Sequence, residues 1–466
     1  MSIATNIEGK YLDRVSQDPA GMHGRDAKSA ATESTGAADL PKRGSTALLV
    51  VIAVACVAVP AAFTTRIQAV FVVPKLGVLW GLLAVCICIL AVHTLLTPQP
   101  LALRRDWVVD AAVVSFVGLT TLAWIASSDG EQSLYGERLQ HQGLLTTLLY
   151  VAWFYVARIA TSRLVDLRAL LAAAAVGGVV VAGYALVQKV DLDPIWDGYL
   201  PGGRVFSAIG QSNALAAYLV LVLPLAASFA FNVRWVVKIV SLLACSAVLL
   251  AFVSTQSRGG YLGLLAAGVV VAVGWSDELR LQQRIVAWAA VGVVTVVTVV
   301  TLAAGGQLGR LASARDASTQ FHLDAWRVAA EIAIDYPVLG TGPETFPDVL
   351  PRYAHDVLPA ERVSELDAFR VESPHNVYLG IAAGSGIPAL IAYLLAVAGF
   401  VVVSVRALRV TTRNARLAVV AILGGLAGHL VTDAFMSPEV TSTWLAWVLL
   451  GGALGMIAED HRQRTS

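Results

Sequence analysis

The stretch from Trp235 to Trp275 reads WVVKIVSLLACSAVLLAFVSTQSRGGYLGLLAAGVVVAVGW. Two apolar runs, Trp235–Ser254 and Gly259–Trp275, flank a short polar break at Ser257-Arg258-Gly259-Gly260-Tyr261. Each run approaches the ~20 apolar residues that a helix needs to cross a hydrocarbon core. Neither shows the period-two alternation of a strand in a membrane barrel. The stretch therefore predicts two membrane-crossing helices joined at one membrane face.

The pattern extends in both directions. Further runs occupy Ala47–Thr65, Val72–Leu96, Trp107–Ala126, Gln142–Ala160, Leu167–Gln188, Ser212–Phe231 and Arg284–Ala304, then Asn376–Val405, Leu417–Phe435 and Thr441–Ala458. The expectation is an all-α polytopic transmembrane bundle of about twelve helices. Composition agrees: of 466 residues 57% are hydrophobic and 14% charged, against about 25% charged in soluble proteins. A net charge of +1 gives no global basic surface, so nucleic acid is not an expected partner. Cys56, Cys86, Cys88 and Cys245 all lie in apolar runs and read as packing residues, not as a disulfide framework or zinc site.

Residues 1–44 are polar without apolar periodicity and read as a disordered cytoplasmic tail. The bundle then occupies 45–304 and 375–458, interrupted by a polar loop at 305–374, with a short tail at 459–466. Basic residues recur in alternate connections: Arg104/Arg105, Arg158/Arg163/Arg168, Arg234/Lys238, Arg280/Arg284 and Arg406/Arg409/Arg413/Arg416. By the positive-inside rule both termini are cytoplasmic, and the 305–374 loop is a large extracytoplasmic, partly helical insertion in a cytoplasmic-membrane protein.

The outward connections carry more chemistry than a turn needs. Arg258 at the break is costly at a membrane edge unless paired, hydrated or used. It either snorkels to the interface or, with Gly259 permitting close backbone approach at a helix start, meets an anion. Gly203-Arg204 precedes Gln211-Ser212-Asn213, where Ser212 or Asn213 can cap a helix but Arg204 cannot. In the loop, Gln320 to Asp335 has helical spacing, with Phe321, Trp326, Ala330 and Ile334 on one face. Gln320, Asp324, Arg327, Glu331 and Asp335 recur on another, so Arg327 has salt-bridge partners at i−3 and i+4. Pro337 stops this helix and Gly340-Thr341-Gly342-Pro343 forms a turn. His375, between Pro374 and Asn376, sits where the loop returns to the membrane. It is either an interfacial histidine bonded to backbone or a general base suited to neutral pH. Asp191 and Asp193 alone fall short of a metal-ligand set, so no metal or cofactor is expected. His429 and Asp433, four apart near the outer end of a span, orient one another or support the outer site.

Taken in order, these residues resemble the O-antigen ligase and polymerase superfamily of bacterial membrane glycosyltransferases. The resemblance is carried by Ser257-Arg258-Gly259, by Trp326 through Pro337-Val338-Leu339-Gly340-Thr341-Gly342 to Phe346, and by His375-Asn376-Val377-Tyr378-Leu379. Ser133-Leu134-Tyr135-Gly136 and Gly203-Arg204 through Asn213 look like the family's earlier segments. The resemblance implies transfer of a glycan from a polyprenyl-pyrophosphate carrier to an acceptor hydroxyl on a glycan, lipid or protein, at the outer membrane boundary. It implies Arg258 and Arg327 as pyrophosphate ligands and His375 as base. Where relatives look to carry an arginine four residues before the loop tryptophan, this chain has His322. Either Arg327 or Arg315 takes over, or the donor site differs. A bicarbonate-type solute transporter is the rival from another class; it should place ionisable residues in mid-membrane, where His93, Lys75 and Asp110 are the few available.

Overall fold

The computed structural model describes residues 45–465 except 98–100, 102, 104, 197, 199, 232–233, 305–316 and 364–370. The tail at 1–44 and the start of the polar loop, with Arg315, lie outside the described residues. Among the described residues all regular structure is helical. The helices are α1 (Ser45–Ala61), α2 (Val72–Leu96), α3 (Trp107–Ala126), α4 (Gly130–Tyr135), α5 (Leu144–Ala160), α6 (Leu164–Lys189), α7 (Ser212–Ala227), α8 (Trp235–Thr255) and α9 (Arg258–Gly274). They continue as α10 (Leu281–Ala304), α11 (Ala317–Asp335), α12 (Phe346–Val357), α13 (Val377–Ser385), α14 (Ile387–Leu408), α15 (Arg413–Asp433) and α16 (Val440–Thr465).

Eight helices among the described residues are long and apolar enough to cross a membrane, and α1, α5 and α9 are shorter apolar helices. At 17 residues α9 is about 25 Å long, near the lower limit for a span. The run read as one span over Asn376–Val405 is two helices. Gly386 between them has φ 88°, and Pro388 lies in the first turn of α14. A Cβ on Gly386 would lie 2.2 Å from the Val338 carbonyl oxygen, so only glycine fits there. The break is backbone-paired with the loop turn: Thr341 N–H donates to Ala383 O (3.0 Å), Gly342 N–H to Gly384 O (2.9 Å) and Ile387 N–H to Pro337 O (2.8 Å). These bonds satisfy the polar groups that a helix break exposes, and they clamp the Pro337–Gly342 turn to the bundle.

In the core α15 packs along α9 and α7, α16 along α5 and α6, and α14 against α3. The α9–α15 crossing depends on Gly263 and Gly428. A Cβ on either would lie 2.7 Å or 2.8 Å from the other's carbonyl oxygen, the close approach that small residues permit between membrane helices. Connections sort to two ends. At one, Glu278 pairs with Arg416 (2.5 Å) and Arg413 (3.4 Å). At the other lie the Gly203–Gln211 connection and the polar breaks at Gln256–Ser257, Ser373–Asn376 and Ala434–Glu439.

The described part of the 305–374 insertion has its own small core, formed by Ala325, Val328, Ala329 and Ile332 of α11 with Phe346, Leu350 and Tyr353 of α12 and Ala383 of α13. This corrects the expected faces of α11: Ile334 is exposed, whereas Asp324 is buried. Asp324 tolerates burial because Arg362 donates to its Oδ2 through Nε (2.8 Å) and Nη2 (2.7 Å). Of the ionisable residues that a transporter would place in mid-membrane, Lys75 and Asp110 are engaged structurally. Lys75 Nζ donates to the carbonyls of Ala208 (2.7 Å), Phe71 (2.9 Å) and Ala62 (3.1 Å), and Asp110 pairs with Arg158 at 2.5 Å. His93 is buried near the end of α2.

Candidate active site at one mouth of the bundle

Ser257 caps α9 by accepting from Gly260 N–H (3.2 Å), which sets Arg258 in the first helical turn. The Gly203–Gln211 connection is folded onto this point. Gln188 Oε1 accepts from the N–H groups of Ser207 (2.7 Å) and Phe206 (3.2 Å). Arg204 then donates through Nε to Thr255 O (2.7 Å) and through Nη2 to Asn213 Oδ1 (2.6 Å). Asn213 therefore serves Arg204 and does not cap α7. Both acceptors are neutral, so the Arg204 charge is not cancelled by them. Burial and then the nearby Arg258 charge depress Arg204 below the ordinary arginine value; it remains protonated.

His322 and Trp326, one turn apart on α11, face the same place. Burial and then the Arg258 charge lower the His322 pKa. Trp326 packs on Phe435 with ring centroids 6.1 Å apart, and Phe435 rests on Gly259, where a Cβ would lie 3.1 Å from the phenylalanine Cβ. Gly259 is thus the seat for the ring that carries Trp326. Among the described residues neither His322 Nδ1 nor Trp326 Nε1, both buried, hydrogen-bonds to protein. Buried polar atoms of this kind call for an explanation.

The His375 ring stands edge-on to His322, centroids 5.2 Å apart. Its backbone is left-handed, φ 49°, an uncommon state outside glycine. It is held by its own N–H donating to Ser373 Oγ (3.2 Å), while Asn376 caps α13 by accepting from Leu379 N–H (3.0 Å). His375 Nδ1 lies 3.3 Å from Ser437 Oγ, which in turn hydrogen-bonds to Ser373 Oγ. In the tautomer that donates Nδ1–H to Ser437, Nε2 is the basic nitrogen. Burial, then repulsion from His322, lowers the His375 pKa to about 4. Sequence reasoning missed Ser373 and Ser437; the visible signal is that Ser373-Pro374 and Ser437-Pro438 are two Ser-Pro pairs at the same end of the bundle.

Arg204, Asn213, Arg258, Gly259, His322, His375 and Asn376 are thus brought to one mouth. Arg327 has another setting: its side chain is 64% exposed and its ion pair is with Asp324 at 3.4 Å. His429 Nε2 and Asp433 Oδ2 lie 3.5 Å apart, both buried, and Asp433, the last residue of α15, lines the same cleft wall as Pro374, Asn376 and Ser437. Asp193 accepts from Tyr184, Gln188 and the amides of Ile195 and Trp196, a set that builds the 193–196 turn.

Fold and site define a polytopic helical membrane protein with a basic, histidine-bearing mouth at one end of its bundle. Residues 243–394 match the family model described as O-antigen ligase, which supports the O-antigen ligase superfamily of membrane glycosyltransferases. The matched segment includes Arg258, His322, Arg327 and His375, and leaves Arg204, Asn213 and Ser437 outside it. No curated protein matches the chain.

Proposed function

We propose that the chain is a ligase-type membrane glycan transferase, moving a glycan from a polyprenyl-pyrophosphate carrier to an acceptor hydroxyl at the outer face of the cytoplasmic membrane, with both termini inside. The observation that carries this reading is the succession of neighbours Arg204, Arg258, His322 and His375, with Arg204 held by neutral partners and the His375 ring against Ser437. The acceptor oxygen attacks the anomeric carbon as its proton passes to His375 Nε2, and the carbon–oxygen bond to pyrophosphate breaks with the electron pair leaving on phosphate oxygen. Arg258 and Arg204 stabilise the charge that gathers there. His322 and Trp326 offer further donors to the same oxygens. Arg327, the other arginine implied by the resemblance, contributes from the surface side of α11 and is secondary to Arg204. No step calls on a metal.

The test is transfer by purified protein supplied with polyprenyl-pyrophosphate glycan and a panel of glycan, lipid and peptide acceptors. Arg258→Ala and Arg204→Ala each lower kcat/KM by 100-fold or more, the scale of losing one preorganised charge donor. Unchanged turnover in both variants refutes the donor assignment. A single addition per acceptor marks a ligase, and a ladder of repeats marks a polymerase.

A further inference from the structure

A second feature adjoins His375. Pro374, Asn376 and Ser437 form part of the wall of an open cleft that is also lined by Gln142, Glu344, Asp433 and Trp447. Tyr393, Thr443 and Trp447 are shared with a much smaller void between α3, α14 and α16, which His429 also lines. The cleft wall is thus polar and aromatic.

Glu344 is the unusual residue of this cleft. It adopts φ 62°, a strained backbone for a residue with a Cβ. Its carbonyl accepts from Gln132 Nε2 (2.9 Å), which pins the turn to α4. Its Oε2 is buried and has no hydrogen-bond partner among the described residues. Burial, then Glu137 and Glu372 nearby, raise its pKa to about 7. On the same cleft Gln142 Oε1 accepts from Tyr150 O–H (2.9 Å), which fixes the amide plane and turns its N–H donors away from the tyrosine.

The charge of this mouth is opposite to that of the other side of His375. Arg204 and Arg258 suit pyrophosphate, whereas Glu344, with Glu137 and Glu372 close by, disfavours an anion. A carboxylate, a fixed amide and aromatic faces together suit a hydroxyl-rich, uncharged ring.

We infer that this cleft is the acceptor subsite, taking a neutral glycosyl residue whose hydroxyls hydrogen-bond to Glu344 and Gln142. The inference rests on the glycan-transfer reading and divides the mouth in two: donor pyrophosphate on the Arg204–Arg258 side, acceptor sugar on the Glu344 side, His375 between them. The strained Glu344 backbone and its unpartnered oxygen are then features of a sugar-binding carboxylate.

The experiment uses full-length protein in lipid nanodiscs, which avoids competition from alkyl-glycoside detergents. Saturation-transfer NMR and calorimetry follow methyl β-glucopyranoside and methyl N-acetyl-β-glucosaminide as acceptor probes, with inorganic pyrophosphate as the donor-side probe. Glu344→Ala and Gln142→Leu each weaken binding of at least one methyl glycoside tenfold or more and leave pyrophosphate binding unchanged. Arg258→Ala shows the reverse pattern. Glu344→Gln, which keeps the side-chain shape, separates loss of the carboxylate from loss of folding. Glycoside binding that is absent, or equal in wild type and both cleft variants, overturns the inference; pyrophosphate binding indifferent to Arg258 and Arg204 instead overturns the donor-site reading.

Discussion

The basicity of His375 is open to direct measurement. Burial and the neighbouring His322 lower its pKa to about 4. An ordinary histidine, with pKa about 6.5, is only about one-tenth neutral at pH 5.5. With a pKa near 4, His375 is about 97% neutral at the same pH. If His375 is the base, kcat/KM for the donor reports its ionisation in the free enzyme, and activity at pH 5.5 stays within about 10% of the plateau, whereas an ordinary histidine would leave about a tenth of it. Glu344, with its own raised pKa of about 7, adds a second ionisation, so the profile is taken in the Glu344→Gln background. The assay is initial-rate glycan transfer at subsaturating donor between pH 4 and 8, with enzyme held in nanodiscs. In that background the acid limb falls near pH 4, and His322→Gln moves it upward by removing the like charge. An acid limb at pH 6 to 7 in the Glu344→Gln enzyme refutes the argument. The same shift acts on stability with a defined sign. Below the unfolded value of about 6.5 the unfolded chain takes up a proton that folded His375 refuses, so this residue's contribution is lost as pH falls from about 6.5 toward about 4.

Further outcomes follow from other contacts. Gly386→Ala, which places a Cβ 2.2 Å from the Val338 carbonyl oxygen at φ 88°, destabilises by about 2 kcal/mol or more and frees the Pro337–Gly342 turn; chemical denaturation and hydrogen exchange across residues 337–342 measure both effects, and unchanged exchange contradicts the clamp. Asp324→Ala removes the buried carboxylate that pairs with Arg362 and destabilises α11 by about 3 kcal/mol, read as a lowered unfolding midpoint. Arg327→Ala, at an exposed pair, changes stability by less than about 1 kcal/mol. It also lowers kcat/KM far less than Arg204→Ala does; equal losses would restore Arg327 to the first rank of pyrophosphate ligands.

The long apolar helices were legible because lipid imposes a composition that a single apolar run reveals, although eight described helices, against the expected twelve or so, have the length and composition of a span. The α11 helix and its stop at Pro337 were legible from helical spacing and a missing backbone donor. What escaped the sequence are relations between distant segments. Asp324 looks like a surface acid until Arg362, 38 residues on, is folded against it. The break at Gly386 reads as a continuous span because apolar composition says nothing about φ, and the backbone bonds from 337–342 that make the break tolerable are invisible to periodicity. Asn213 had a sound local role as a cap, and a tertiary bond to Arg204 displaced it. At the site, Arg258 and His375 stood out as polar residues at membrane edges. Ser437 and Glu344 did not, because their meaning comes from facing His375 or the cleft.

The central claim is that His375 takes the acceptor proton during transfer from a pyrophosphate carrier. Its most direct test is single-turnover transfer by His375→Ala and by wild type in nanodiscs, with polyprenyl-pyrophosphate glycan at saturation and donor binding measured alongside. The account predicts donor affinity within about twofold of wild type and a rate lowered by roughly 10² to 10⁴, the range for removing a general base. Carrier-dependent product formed by His375→Ala at the wild-type rate would contradict it.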